Sequence, residues 1–158
     1  MPSRDPDFNA APAFGEKNMN MVWEIPPIVL TRKDHGRLSA LAAGAIEHMP
    51  GVGRLLAGEL TRARLVDQRE IPATVVTMNS RVAFKDNRSG QLYTAILVYP
   101  GQADITEGRL SILTTTGAAL LGMAEGQTIE WQTRGGTRRS LTVVKVHDQP
   151  EASGHFDL

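Results

Sequence analysis

At 158 residues with 41% hydrophobic content, the chain holds one ordinary core or two small ones, and its 17 Lys and Arg balance its 17 Asp and Glu. That balance excludes a general cationic surface for nucleic-acid phosphates, so any link to nucleic acid is expected to be indirect. The absence of cysteine excludes a disulfide framework, a thiolate nucleophile and a Cys-type zinc site, which fits the cytoplasm.

Residues 1–27 mix Pro, Asn, Asp and Gly without periodicity and read as an unpacked tail, in which Met19 and Met21 offer alternative starts. Prolines and charges stand where a secretory signal needs an apolar run, and no segment has the apolar length of a membrane span, so no membrane partner is expected.

Between residues 28 and 70 the pattern is helical. Thr31 with Asp34 has the form of a capping box, and Leu38, Leu41, Ala42, Ala45, Ile46 and Met49 then fall on one face of a helix from Thr31 to Met49. Such a helix extends about 28 Å. Pro50 to Gly53 breaks the pattern. A second helix follows over residues 54–68, with Leu56, Leu60 and Ala63 on its apolar side and Glu59, Arg62 and Asp67 on the other. Two such helices on a short loop form an antiparallel hairpin in which each covers the other's stripe.

From Pro72 onward the period is two. "RVAFKD", "QLYTAILVYP" and "RLSIL" read as strands, and "TIEWQTR" and "TRRSLTVVKV" as a hairpin turning on Gly135 and Gly136 in a two-residue type I′ turn. Ile129, Trp131, Leu141 and Val143 are its inward candidates, and residues 147–158 read as a polar, irregular tail. The fold class is therefore α+β: a short helical hairpin over 28–70, then over 71–158 an antiparallel sheet with one short helix.

That short helix begins in "TTTGAALLGMAEG", Thr114 to Gly126. A phosphate loop needs Gly-x-x-x-x-Gly-Lys-Ser/Thr, and no lysine lies between Lys85 and Lys145. A threonine nucleophile needs a base, and His35, His48, His147 and His155 are scattered. The simpler reading is a helix start, with one hydroxyl capping free amides and Gly117 easing a close approach. Glu47 and Glu59 lie on different helices and form no acid–base pair, and the His and Glu spacings do not repeat as a metal site, so neither cofactor nor metal is expected. Arg134, Arg138 and Arg139 read as a solvated turn, with a small anion patch as the sharper alternative. Phe84, Tyr93, Tyr99 and Trp131 read as core or interface, too few for an evident ligand pocket.

The segments "VVTMNSRV", "LVYPGQADITEGRLSIL", "GAALLG" and "GGTRR", together with "PPIVLTRKDHGRL", "ELTRARLV" and "QPEASG", resemble the Rnk-type regulators of nucleoside diphosphate kinase, relatives of the GreA/GreB transcript cleavage factors, over residues 26–158. The resemblance implies an FKBP-like domain that docks on RNA polymerase at the rim of its secondary channel. In Gre factors the docking loop carries Asp-Ser-Pro, and a long coiled coil presents an acidic pair that holds a catalytic metal ion. Here Leu113, Thr114 and Thr115 stand at the Asp-Ser-Pro positions, ahead of Gly117, and the hairpin tip offers Glu47, Met49, Pro50 and Val52 with no acidic pair. The resemblance thus implies a non-catalytic regulator that binds RNA polymerase and competes with Gre-type factors. Two alternatives stand beside it: a peptidyl-prolyl isomerase, implied by the fold name alone, and a direct partner of nucleoside diphosphate kinase, implied by the family name.

Overall fold

The computed structural model describes residues 22–24, 26–133 and 135–157. In chain order the elements are β1 (Val22–Glu24), β2 (Val29–Thr31), α1 (Arg32–His48), α2 (Pro50–Arg62), β3 (Arg64–Val66), β4 (Arg81–Asp86), β5 (Gln91–Val98), β6 (Arg109–Ser111), α3 (Thr115–Leu120), β7 (Thr128–Gln132) and β8 (Arg138–Asp148). The class is α+β, with the two long helices preceding the sheet. Most of the expected tail lies outside the described residues, but Val22–Glu24 form a strand rather than loose chain. They pair with the outer edge of β7, whose backbone groups would otherwise lack partners.

Thr31 caps α1 by accepting the Asp34 amide at 3.0 Å. The reciprocal half of the expected capping box is replaced: Asp34 is buried, and its carboxylate accepts the Met78 amide at 3.3 Å from the loop that leads into β4. Leu38, Ala42 and Ala45 are buried along α1, Leu41 and Ile46 are half-buried, and Met49 is exposed.

Helix α2 starts at Pro50 rather than after the Pro50–Gly53 stretch, because a proline at the first helical position is already set to helical φ and loses no needed donor. Met49 alone, at φ −136° and ψ 67°, makes the reversal. Gly53 permits it: a Cβ there would lie 2.8 Å from the Ile46 nitrogen. His35, near the start of α1, meets the Leu60 carbonyl near the end of α2 at 3.1 Å. Helix α2 ends at Arg62 rather than Gln68, since Arg64–Val66 pairs in parallel with β2. Glu59, expected on the solvent side, is buried and paired with Arg62 at 2.7 Å, and Arg62 also donates to the Pro26 carbonyl.

The main sheet has the order β1-β7-β8-β4-β5-β6. It is mixed rather than wholly antiparallel, because the turns between β5 and β6 bring Arg109 beside Ile96 in the same direction. The β7–β8 connection is longer than two residues. Thr133 donates to the Thr137 carbonyl, and of the two glycines only Gly136 has a left-handed φ, 85°, whereas a type I′ turn needs both. Ile129, Trp131, Leu141 and Val143 point inward and share one core with Leu38, Leu56, Leu97 and Leu120.

The last residues are irregular in conformation but not loose. Strand β8 runs to Asp148, and buried Gln149 donates to the Pro72 and Val75 carbonyls at 2.7 and 2.8 Å. Lys33 and Gln68 donate to the Phe156 carbonyl at 2.6 and 2.9 Å, and the Arg69 guanidinium lies 4.5 Å from the Phe156 ring. The C-terminal residues therefore strap the start of α1 and the end of β3 to the sheet.

Candidate docking site

The loop into α3 is held by its own hydroxyl. Thr114 Oγ1 accepts the Gly117 amide at 3.0 Å and donates to the Ser111 carbonyl at 2.8 Å, so both of its hydrogen-bonding roles are committed to structure. A nucleophile would need a base at that oxygen, and none of these contacts supplies one. Gly117 is buried, and a Cβ on it would sit 2.3 Å from the Ser111 carbonyl oxygen, so only glycine lets α3 fold back against β6. Leu113 packs half-buried against the core, while Thr115 and Thr116 sit half-exposed at the helix start. The loop thus presents two threonines, with Leu113 as its anchor.

Beside it lies a cleft of about 380 Å³ between α3 and the sheet. Its walls are Phe84, Tyr93, Ala95, Leu110 and Leu141, with Thr116 from the start of α3 and Ile105 on the rim. Phe84 and Tyr93 stack at 5.5 Å between ring centroids, and Ile105 is 77% exposed. A short turn carries Ile105 into place. Asp104 caps it by accepting from the Thr106 amide and hydroxyl, and the Thr106 hydroxyl in particular holds the Asp104 carboxyl below its ordinary pKa. From sequence, Phe84 and Tyr93 read as core or interface. Missing from that reading is the strand pairing that aligns them across one row of the sheet, where they line a cleft.

Arg139 closes one end of this cleft, 5.7 Å over the Trp131 ring and 4.0 Å from the Asp86 carboxylate. Arg138 pairs with Glu130 at 3.1 Å. Arg134 lies outside the described residues. The two described arginines thus face different acids, and nothing gathers them around one anion.

The hairpin tip exposes Glu47, Met49 and Pro50, with Val52 half-buried. Helix α1, at 17 residues, extends about 26 Å. Among the described residues no group of three or more His, Asp or Glu is placed to hold a metal ion. Among the described residues the one strongly displaced carboxyl is Asp34, which burial raises to a pKa of about 6 against the opposing pull of the Met78 amide; Glu151 raises it further, and Arg37 and Lys33 lower it. Burial and the Asp34 charge likewise push the Tyr99 hydroxyl up. Asp34 lies in the first turn of α1, at the opposite end of that helix from the tip, and Tyr99 directly follows β5.

Two family descriptions match the sequence in tandem: "Rnk N-terminus" over residues 26–66 and "Transcription elongation factor, GreA/GreB, C-term" over residues 71–148. The regulator of nucleoside diphosphate kinase of Escherichia coli K12 is 35% identical over 133 residues, covering 84% of this chain and 98% of that protein. The transcription elongation factor GreA of Syntrophomonas wolfei is 30% identical over 96 residues, 60% of each chain. A solved structure described as a prokaryotic transcription elongation factor GreA/GreB, from Nitrosomonas europaea, superposes with a TM-score of 0.60 at 41% identity, over 77% of this chain and 98% of that one. The two tandem matches and an identity of 35% across nearly the whole of the Escherichia coli protein make this chain a member of the Rnk family, the regulators of nucleoside diphosphate kinase related to the GreA/GreB elongation factors.

Proposed function

We propose that the chain is a non-catalytic regulator that docks on RNA polymerase near its secondary channel through the loop Leu113–Thr115 and the neighbouring cleft, and that it competes there with Gre-type factors without stimulating transcript cleavage. The observation that carries this reading is a fixed, half-exposed loop beside an open apolar cleft, together with a hairpin tip that carries no acidic pair. A loop pinned by Thr114 and Gly117 loses little conformational freedom on binding, which favours a docking role. Cleavage by a second metal needs hard oxygen ligands at the tip, where Glu47 stands without a second acid and the side chains of Met49, Pro50 and Val52 offer none.

The test is direct binding to core RNA polymerase, with nucleoside diphosphate kinase run in parallel. Because Leu113 is an anchor of the core, the informative substitution is Thr115→Lys. It should weaken polymerase binding by tenfold or more at an unchanged circular dichroism spectrum. Unchanged affinity would remove the loop from the interface, and binding to the kinase alone would replace the polymerase as partner.

A further inference from the structure

The balance of 17 basic and 17 acidic residues belongs to the chain as a whole, and the alternation of the strands sorts those charges between the two faces of the main sheet. The inner face takes Phe84, Trp131, Leu141 and Val143 into the core, and Asp86 and Arg139 line the cleft. On the outer face, Lys85 stands between Leu92 and Thr142, and Ala83 stands beside Lys145. Arg138 shares that face with Ser140 and Glu130, and Arg88 sits on the turn between β4 and β5. Acids that could balance these cations are engaged elsewhere: Asp34 and Glu59 are buried, and Glu125 accepts the Val146 amide at 2.8 Å. The outer face keeps Glu130, paired with Arg138, and Asp148, across from Arg81.

Among the described residues, the side chains of Lys85, Arg88 and Lys145 make no hydrogen bond or ion pair. Lys85 and Lys145 are diagonal neighbours, with stems about 7–8 Å apart, so their charges repel until an anion comes between them. Each has an exposed aliphatic side chain beside it. Leu92, directly opposite Lys85, is 62% exposed, and Val144, which precedes Lys145 at a bulge in the ladder, is 46% exposed. The described strand aromatics Phe84, Tyr93 and Trp131 all belong to the other face, so this one lacks the rings on which single-stranded nucleic acid stacks. A cavity of about 530 Å³ lies at one end of the strip, lined by Asn87, Arg88, Glu130, Thr137, Arg138 and Ser140. The Ser140 hydroxyl accepts the Asn87 amide at 2.9 Å, which leaves its own hydrogen to donate.

From these observations we infer that the outer face of the sheet is a second docking surface, for an acidic polypeptide segment that sets carboxylates on Lys85, Arg88 and Lys145 and aliphatic side chains on Leu92 and Val144. Charge complementarity selects the occupant: the surface offers cations and small apolar contacts in alternation, which a segment of mixed acids and leucines matches. The cavity beside Arg88 and Ser140 receives one carboxylate, where a guanidinium and a hydroxyl both donate. Because this surface lies across the sheet from the cleft, the inference stands apart from the polymerase reading, and the two are tested by different substitutions.

The test titrates the full chain, with its methyl groups isotope-labelled for NMR, with the peptide Glu-Ser-Leu-Ser-Glu-Ser-Leu-Ser-Glu. Its acids and leucines fall on one face of an extended chain. The methyl signals of Leu92 and Val144 should shift, and those of Ile105 and Leu110 in the cleft should stay in place. Lys85→Gln combined with Lys145→Gln should weaken binding by about tenfold at an unchanged circular dichroism spectrum, whereas Thr115→Lys should leave it intact. Replacing every Glu of the peptide by Gln, or every Leu by Ser, should weaken binding as well. Absence of binding, shifts confined to Ile105 and Leu110, or equal binding of the Gln peptide would overturn the inference. So would a single-stranded oligonucleotide of the same charge that displaces the peptide and binds more tightly, since the occupant would then be a nucleic acid.

Discussion

The Asp34 carboxylate, in the first turn of α1, accepts the backbone amide of Met78, in the loop that leads into β4. One buried side chain thus joins the helical part of the molecule to its sheet. Around it, Thr77 donates to Glu151 at 2.8 Å and meets the Ser80 hydroxyl at 2.9 Å, so the C-terminal turn is tied to the same loop.

That carboxyl makes stability depend on pH in a stated direction. The folded chain holds the Asp34 proton up to a pKa of about 6, against an ordinary 3.8. Its contribution is therefore fully present below about pH 4 and is lost as pH rises to about 6, leaving a constant cost of about 2–3 kcal/mol at neutral pH. Asp34→Asn keeps an oxygen for the Met78 amide and removes the charge. Urea midpoints should rise for the variant at pH 7.5 and come close to the parent's at pH 4. A variant less stable than the parent at pH 7.5 would show that the charge is compensated by Arg37 and Lys33.

Two glycines in the first turn of α2, Gly51 and Gly53, should respond oppositely to alanine. A Cβ at Gly53 would meet the Ile46 backbone at 2.8 Å, whereas one at Gly51 meets nothing within 4 Å. Gly53→Ala should cost about 1–3 kcal/mol through forced separation of the helices. Gly51→Ala should be neutral or gain up to about 1 kcal/mol of helix propensity. Thermal melts of the two variants side by side make the comparison, and it bears on function too, since a carboxylate engineered at Gly53 would break the tip it was meant to arm.

Leu56 is fully buried, while Leu41 is only half-buried. Leu56→Ala should cost about 2–5 kcal/mol and Leu41→Ala clearly less. Equal costs in urea denaturation would mean that Leu41 carries more of the helix contact than its exposure implies.

Thr114→Ala should cost about 1 kcal/mol by releasing the Gly117 amide, and Thr114→Ser should cost much less because it keeps the cap. If the loop must be held fixed to dock, Thr114→Ala weakens polymerase binding by more than its loss of stability alone, which a titration of both variants against core polymerase measures.

The parts of this fold that are legible in the sequence are those governed by local periodicity or by a single residue's chemistry. The stripe through Leu38, Ala42 and Ala45, the cap at Thr114, the close approach at Gly117 and the inward row of Ile129, Trp131, Leu141 and Val143 are all of this kind. What stays hidden depends on partners distant in sequence. Arg64–Val66 looks like the end of a helix until β2 is available to pair with it, and Glu59 looks solvent-facing until Arg62 and Pro26 close over it. Asp34 fits a capping box by spacing, but the Met78 amide, 44 residues on, claims its carboxylate. The cleft cannot be read at all, because Phe84 and Tyr93 become neighbours only through the register of β4 and β5.

Docking without catalysis is tested most directly on a stalled, backtracked elongation complex given the purified protein with and without a Gre factor. No shortened transcripts are expected with this protein alone, and Gre-dependent cleavage should slow when both are present, as a shared docking site requires. Transcript shortening by this protein alone would contradict the reading.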